Sequence, residues 1–411
     1  MNLYLFNDND SASVYGIGTY IKAMTEALKG AYINVHIVNL RSIRPEFEIE
    51  KTENIEHWYI PEVRNENTFS GNTTKMEGYF LNVIYFLRLY IKDTKDLVFH
   101  FNYNTYHLLA KELKTIFICK TVTTVHFAKW MLGLNSNLSM LHTIKTKPQD
   151  IMSKFEKSLI KTDEYENLLY NEVDKVIALC HNMKDILQTE YHIEQEKIVV
   201  IPNGLADSSS EDAATIRKKW RILDDELLVL YAGRLSADKG VNYLIKAFHK
   251  VLKTIPNCRL MIAGSGDYNP YMKECEDIWL NVIWTGLLDK NKLYELYSIV
   301  DIGVMPSLHE QCSYVAIEMM MHGVPLVAST SSGLAEMVEE GVTGLQVSVI
   351  EYPDRVEIDS DVLAEKMLFL LQKSTKRKQM GRNARKRYER LYSSKVMREN
   401  MLDFYSSLLS C

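Results

Sequence analysis

The sequence has no cysteine pairing pattern, no strong charge of either sign and no apolar run long enough to cross a bilayer. Its six cysteines, Cys119, Cys180, Cys258, Cys275, Cys312 and Cys411, are scattered, and no C-x-x-C pair or other metal-ligand spacing occurs. That excludes a disulfide scaffold or zinc-type framework and fits a reduced, cytoplasmic protein. A formal net charge of -5 gives no reason to expect a nucleic-acid partner. The opening MNLYLFND has no basic segment followed by a long apolar one, so it does not read as a signal peptide. The most apolar stretch, from Tyr79 to Leu87, ends at Arg88, far short of the roughly 20 residues a membrane helix needs. It reads as a buried helix, with a membrane-touching surface as the alternative.

What is present is ordinary for a soluble globular chain, with 46% hydrophobic and 25% charged residues. A length of 411 residues favours two domains. The first half opens with a strand from Leu3 to Phe6, a loop carrying Gly16 and Gly18 after Val14-Tyr15, a helix from about Thr19 to Leu28 and a strand from Asn34 to Asn39. That is the order of a Rossmann-type unit. Further strands are expected at 97–101, 121–126, 175–179 and 199–201, with helices at 106–113 and 150–160. The polar stretch around 203–216 reads as a linker. A second alternating pattern follows, with strands at 227–232, 259–263, 281–285, 302–305 and 325–328. Helices are expected at 241–254, 290–298, 314–322, 333–339, 360–373 and 376–408. The expected fold is therefore α/β, with two parallel-sheet domains and ligands at the carboxyl ends of the strands.

Four charged residues lie at such ends. Glu310 comes just after the strand 302–305, and Glu318 lies eight residues later, inside the following helix. Two carboxylates there can accept hydrogen bonds from vicinal hydroxyls of a sugar or ribose. Between them, the N–H groups of Cys312, Ser313 and Tyr314 open the helix, where the dipole favours an anion. Arg234 and Lys239 follow the strand 227–232, and two cations there can neutralise a diphosphate. The plainer alternatives are solvated glutamates on a surface helix and surface cations. Gly16 and Gly18 allow close approach of a ligand, or simply a tight turn. His126, at the end of 121–126, can orient a donor hydroxyl, assist proton traffic or sit satisfied in the core. His100, His107 and His309 have no comparable placement. The run Lys376 to Arg390 carries eight Lys or Arg and reads as a solvated helix face, with a membrane-surface role as the alternative.

An ordered set of motifs then carries a resemblance. Ile201-Pro-Asn-Gly204, Ala232-Gly-Arg-Leu-Ser-Ala-Asp-Lys-Gly240, Ile262-Ala-Gly-Ser-Gly266 and Trp284-Thr-Gly-Leu-Leu288 come first. Pro306-Ser307, the Glu-x7-Glu pair 310/318, Gly323-Val-Pro-Leu-Val-Ala328 and Glu340-Gly-Val-Thr-Gly-Leu345 complete the series. Together they resemble the retaining glycosyltransferases of family four, the group 1 glycosyl transferases, which have the GT-B fold. In the first half only the Gly16/Gly18 loop, His126 and Val176-Ile-Ala-Leu-Cys180 resemble it.

The resemblance implies an N-terminal acceptor domain, 1–203 plus a final helix 393–411, and a donor domain, 204–392, facing each other across a cleft. Arg234 and Lys239 would hold the donor diphosphate without a metal or other cofactor. Glu318 would bind the ribose, and Glu310 with the backbone of Cys312, Ser313, Tyr314 and Val315 the transferred sugar. Leu287 and Leu288 would meet the base, and His126 would face the sugar. Catalysis would pass by front-face attack with retention, and the domains would close about the 203–216 linker. The implied activity moves a hexose from a nucleotide sugar, UDP-glucose or UDP-N-acetylglucosamine, with ADP- and GDP-sugars as alternatives. The acceptor hydroxyl would lie on a glycan, protein or lipid-linked sugar, with peripheral contact at the cytoplasmic face of a membrane as an open partner. Three readings compete with it: a non-catalytic nucleotide-sugar-binding subunit, a sugar-nucleotide epimerase and a phosphorylase.

Cys312-Ser313 and Ser332-Gly333 depart from the family's usual Phe-Gly and Gly-Gly. The stretch 127–170, with Trp130, Met131, Leu132 and Lys145 to Lys147, has no evident counterpart and is expected to read the acceptor.

Overall fold

A computed structural model describes residues 1–8, 16–52, 55–62, 73–208 and 212–410. The chain divides into two compact units. One gathers Met1–Lys129, Gln149–Pro202 and Ser394–Cys411; the other gathers Trp130–Pro148 and Asn203–Ser393.

The first unit is built on β1 (Asn2–Asp8), β2 (Asn34–Ser42), β3 (Glu48–Thr52), β4 (Ile55–Pro61), β5 (Leu97–Phe101), β6 (Cys119–Val125), β7 (Lys175–Ala178) and β8 (Ile198–Val200). They form one sheet in the order β3-β4-β2-β1-β5-β6-β7-β8. β3 pairs antiparallel with β4 at the edge, and the remaining pairs are parallel. All five residues of β5 are buried, as expected of a parallel strand covered on both faces. The last helix, Ser394–Ser410, packs on the helix Gly16–Leu28. Arg398 donates to the carbonyls of Ala27 and Lys29 at 2.5 and 2.6 Å, and the Tyr405 hydroxyl meets His100 Nδ1 at 2.6 Å.

The second unit is built on β9 (Leu227–Ala232), β10 (Cys258–Ala263), β11 (Val282–Gly286), β12 (Ile302–Met305), β13 (Leu326–Ser329) and β14 (Gly344–Val347). Every pairing is parallel, in the order β11-β10-β9-β12-β13-β14. This is the doubly wound Rossmann order, and the strand order reverses between β9 and β12. Gly303, in β12, lets a helix lie directly on the sheet: a Cβ there would meet Met319 Sδ at 2.3 Å. A hairpin of β15 (Val349–Glu351) and β16 (Val356–Ile358) is appended.

Several sequence expectations are corrected. Gly16 and Gly18 lie in the first turn of a helix and not in a loop. The buried stripe Ile17, Tyr20, Ile21, Met24, at helical spacing, extends the helix through both glycines. Val14 and Tyr15 lie outside the described residues. The apolar stretch 79–87 sits in the helix Thr73–Tyr90, which buries Phe80, Val83, Ile84 and Leu87 but exposes Leu81 and Tyr85, so it is half-buried. Residues 203–208 are not a free linker. Asn203 Nδ2 donates to the Cys312 carbonyl at 2.7 Å, Leu205 N to the Tyr392 carbonyl at 2.9 Å, and Asp207 pairs with Arg385. The rest of the expected linker begins the helix Ala213–Lys219, capped by Asp212, while 209–211 lie outside the described residues. Trp130–Pro148 packs with the second unit and not the first.

The basic run keeps Lys376, Lys378, Arg382, Lys386 and Arg390 exposed, while three of its arginines are tied down. In the helix Ser374–Arg387, Arg377 pairs with Asp301 at 2.8 Å, Arg385 with Asp207 and Glu389, and Arg387 with Glu339 at 3.3 Å. Among the described residues no helix is long and apolar enough to cross a membrane.

One buried acid tunes the first unit's stability. Glu166, in the helix Lys154–Glu172, accepts from the Lys129 backbone N–H at 3.0 Å and the Tyr191 hydroxyl at 3.1 Å. Burial pushes its carboxyl from an ordinary value near 4.5 up to about 7. The fold therefore favours the protonated acid. That stabilisation is complete below the unfolded value and is lost as pH rises through the folded one. Relative to Glu166→Gln, the wild type should lose up to about 3 kcal/mol between pH 5 and pH 8. Urea melts of both proteins across that range check this; a pH-independent difference would refute it.

Candidate functional site

The reversal point between β9 and β12 is where a doubly wound sheet opens a crevice at its carboxyl edge. The chain leaving β9 runs through Gly233 and Arg234 to Gly240, and the chain leaving β12 runs through Pro306 to Glu310. These two loops touch because position 240 has no side chain. Gly240 is left-handed, at φ +67°, and a Cβ there would lie 1.9 Å from the Pro306 carbonyl oxygen. Leu308 N donates to the Asp238 carbonyl at 2.7 Å and closes the contact.

The result is one charge cluster. Lys239 Nζ sits 2.7 Å from Glu310 Oε1 and 3.7 Å from Asp238 Oδ2. Arg234, exposed, reaches Asp238 at 3.8 Å. Ser307 Oγ donates to Glu310 at 3.3 Å, and Ser236 Oγ to Asp238 at 2.5 Å. Burial would raise the Asp238 carboxyl, but Lys239 and the Ser236 hydroxyl outweigh it and hold it below its ordinary value. Lys239 thus carries two carboxylates while Arg234 points a free face to solvent.

Cys312, Ser313, Tyr314 and Val315 lead into the helix Tyr314–Met321, where Ser313 is the N-cap and accepts from Ala316 N. The Cys312 thiol is buried and pushed up to about 12, so it is inert at neutral pH, and its carbonyl is held by Asn203. Glu318 belongs to a second cluster. Its carboxylate is buried, accepts from the Tyr297 hydroxyl at 3.1 Å and faces Lys290 at 3.6 Å. Burial raises its carboxyl above the ordinary value against the pull of Lys290. Leu287 is exposed after the left-handed Gly286, and Leu288 is half-buried.

His126, Gly16 and Gly18 belong to the first unit. The His126 ring N–H donates to Asn102 Oδ1 at 3.1 Å, and the ring stands edge-on to Tyr20 at 4.7 Å. Burial lowers its imidazole to about 3, so it is neutral at physiological pH. Gly16 is exposed, and a Cβ placed there would meet no heavy atom of the described residues within 4 Å.

Sequence reasoning missed Asp238, Lys290, Tyr297 and His309. Lys290, Tyr294 and Tyr297 recur at helical spacing in the helix Lys290–Ile299, a stripe that could have pointed to a shared partner. His309 looked unremarkable in sequence. It is buried, its imidazole is lowered to about 3 by burial and then by Lys239, and its Nδ1 lies 2.6 Å from Ser136 Oγ. No local signal in the sequence joins positions 136 and 309.

Comparison with known proteins gives the family. The model of glycosyl transferases group 1 matches residues 212–387, and that of glycosyltransferase family 4 matches residues 14–208. An uncharacterised glycosyltransferase of Methanocaldococcus jannaschii is 33% identical over 44% of this chain and 49% of its own length. The alpha-D-kanosaminyltransferase of Streptomyces kanamyceticus is 29% identical over 47% of this chain and 53% of its own. The chain thus spans about half the length of these two curated relatives. Among solved structures, sucrose-phosphate synthase from Thermosynechococcus elongatus superposes with a TM-score of 0.76 at 20% identity, covering 100% of this chain and 99% of that one. Anabaena HepE, solved with UDP-glucose, gives 0.69 at 16% identity, covering 99% and 100%. At these identities the likeness speaks for the fold alone, which is GT-B. With the two family models taking in most of its length between them, the chain belongs to the group 1 glycosyl transferases.

Proposed function

We propose that this protein is a retaining glycosyltransferase that moves a hexose from a nucleotide sugar, UDP-glucose or UDP-N-acetylglucosamine, to an acceptor hydroxyl on a glycan, protein or lipid-linked sugar. The observation that carries this reading is the Lys239–Glu310 contact of 2.7 Å at the sheet's reversal point, with Arg234 exposed beside it. A cation and a carboxylate side by side suit a donor that is anionic at its diphosphate and polyhydroxylated at its sugar. The preference for UDP draws on Anabaena HepE, which holds UDP-glucose.

In this reading Lys239 and Arg234 bind the diphosphate, and Glu310, with backbone N–H groups from Cys312 to Val315, receives the sugar. Glu318, steadied by Tyr297 and Lys290, takes the ribose hydroxyls. Leu287 and Leu288 border the base. His126, uncharged, offers its ring nitrogens to a sugar hydroxyl, and Gly16 and Gly18, in the first turn of their helix, meet the donor. The acceptor oxygen attacks the anomeric carbon from the face the diphosphate leaves. The bond to the diphosphate breaks, and the acceptor proton passes to the departing phosphate oxygen. Developing charge on the leaving group falls on two fixed cations, so the step needs no metal ion.

Two outcomes follow. Lys239→Ala should weaken donor binding about tenfold or more, the scale of one charged hydrogen bond. Glu310→Gln should lower kcat by about a hundredfold with donor affinity little changed. Steady-state UDP release and donor titration separate these effects, and wild-type constants in both variants would refute the assignment. EDTA should leave turnover intact, and NMR of the product should show the donor's anomeric configuration; full loss with EDTA, or an inverted product, would overturn the mechanism.

A further inference from the structure

Trp130–Pro148 follows β6 in sequence yet packs with the second unit. Its two short helices, Lys129–Gly133 and Leu138–Thr146, bury Trp130, Met131, Leu141 and Ile144. The turn between them is conformationally costly. Asn135 and Ser136 are both left-handed, at φ +50° and +62°, and neither is glycine. Asn137 fixes the turn. Fully buried, it donates to the carbonyls of Tyr352 and Arg355 at 2.6 and 3.3 Å, at the tip of the β15–β16 hairpin, and accepts from Met140 N at 2.9 Å.

The placement brings Ser136 Oγ to 2.6 Å from His309 Nδ1 and 2.9 Å from Ser332 Oγ. Ser332 is itself left-handed, at φ +41°, and its Oγ lies 3.5 Å from the same ring nitrogen. On the other side of Glu310, the Gln311 amide reaches Met131 Sδ at 3.5 Å. The Glu310 carbonyl accepts from Gly333 N at 2.8 Å. Both sequence neighbours of Glu310 are thus gripped by the segment 130–137, and Glu310 itself is held by the loop that carries Ser332.

We propose that Ser136 is a positioning residue for Glu310: its hydroxyl, through His309 and Ser332, fixes the loop that aims the Glu310 carboxylate at the transferred sugar. This rests on the donor-site reading above. It also assigns 130–148 to the donor-sugar side of the reaction, where the sequence suggested acceptor recognition. If the turn served only to join two helices, glycine at position 136 would adopt φ +62° without strain. The hydroxyl is what serine adds there, and it is the group in contact with the ring. His309, kept neutral by burial, offers that hydroxyl the same partner across the working pH range.

Ser136→Gly is the deciding variant, because it relieves the strained backbone while removing the hydroxymethyl group that meets His309, and Ser136→Ala, which loses the hydroxyl alone, should lower kcat in the same way. UDP release from UDP-glucose is measured on the full chain, with thermal melting alongside. Expected are a Tm equal to or above wild type, a donor KM within about twofold, and a kcat lowered about tenfold or more. Ser332→Gly should act in the same direction, and Ser139→Ala, on the exposed side of the segment, should leave kcat unchanged. A wild-type kcat in Ser136→Gly, or a kcat that falls only together with Tm, overturns the proposal. Glu310→Gln in the same assay keeps the two readings apart. If it is slow while Ser136→Gly is not, the positioning role alone fails. If it turns over like wild type, the donor-site reading fails and takes the proposal with it.

Discussion

The charge cluster exists because two backbones touch. β9 and β12 are neighbours in the sheet, paired at Val229–Ile302 and Leu230–Gly303, so the loops that follow them emerge side by side. Whether those loops merely pass or lock together is decided at Gly240, where any Cβ would overlap the Pro306 carbonyl. With the side chain absent, Leu308 can bond to Asp238, and Lys239 is delivered to Glu310. A larger residue would force the loops apart, and the cation and carboxylate would separate with them. The glycine that ends the motif 232–240 is therefore a geometric requirement of the charges before it.

The second unit's carboxyl edge brings a lysine to two carboxylates, and the first unit's pairs Asp8 with Arg41, but the first unit's buried histidines are neutral. There, His100 bonds both Thr124 and Tyr405, and His126 bonds Asn102, all with little exposure. Burial lowers both imidazoles to about 3. A buried histidine without a carboxylate partner stays neutral, because ionising it would strand a charge in low dielectric. Lys239, by contrast, keeps its charge company by facing Glu310 and Asp238. Whether a group near a strand end carries charge thus follows from which polar partners the neighbouring strand ends supply.

Much of the sheet architecture was legible in the sequence. The strands Leu97–Phe101, Leu227–Ala232 and Ile302–Met305, and the helix Val241–Thr254, fall where continuous apolar runs or helical spacing put them. Those signals are strong because burial on both faces leaves no polar position to confuse the period. β3 was missed because Glu48–Thr52, reading EIEKT, is a solvent-facing edge strand whose pairing with β4 supplies its order. The helix start at Gly16 was missed because local propensity argues against two glycines while the buried stripe beyond them argues for the helix. Of the candidate site, Arg234, Lys239 and Glu310 were legible from their position after buried strands, whereas Glu318 lies inside the following helix. Their partners Asp238, Lys290 and Tyr297 were not, since each acts through a contact made only in the folded chain.

The segment 130–148 shows why the remainder was out of reach. Its membership in the second unit depends on Asn137 finding two carbonyls more than two hundred positions away. No propensity or period encodes that. Yet the folded chain marks the place by breaking a local rule. Among the described residues, seven besides glycine have positive φ, and Asn135, Ser136 and Ser332 are three of them. Ser136 and Ser332 touch each other and flank His309. Left-handed serine persists only where surrounding contacts outweigh its cost, and such positions concentrate where geometry matters more than stability. Two unfavourable serines meeting beside the residue that precedes Glu310 are hard to account for by packing alone, since glycine would pack there with less strain. What glycine would lack is the pair of hydroxyls, and with them the fixed orientation of the loop.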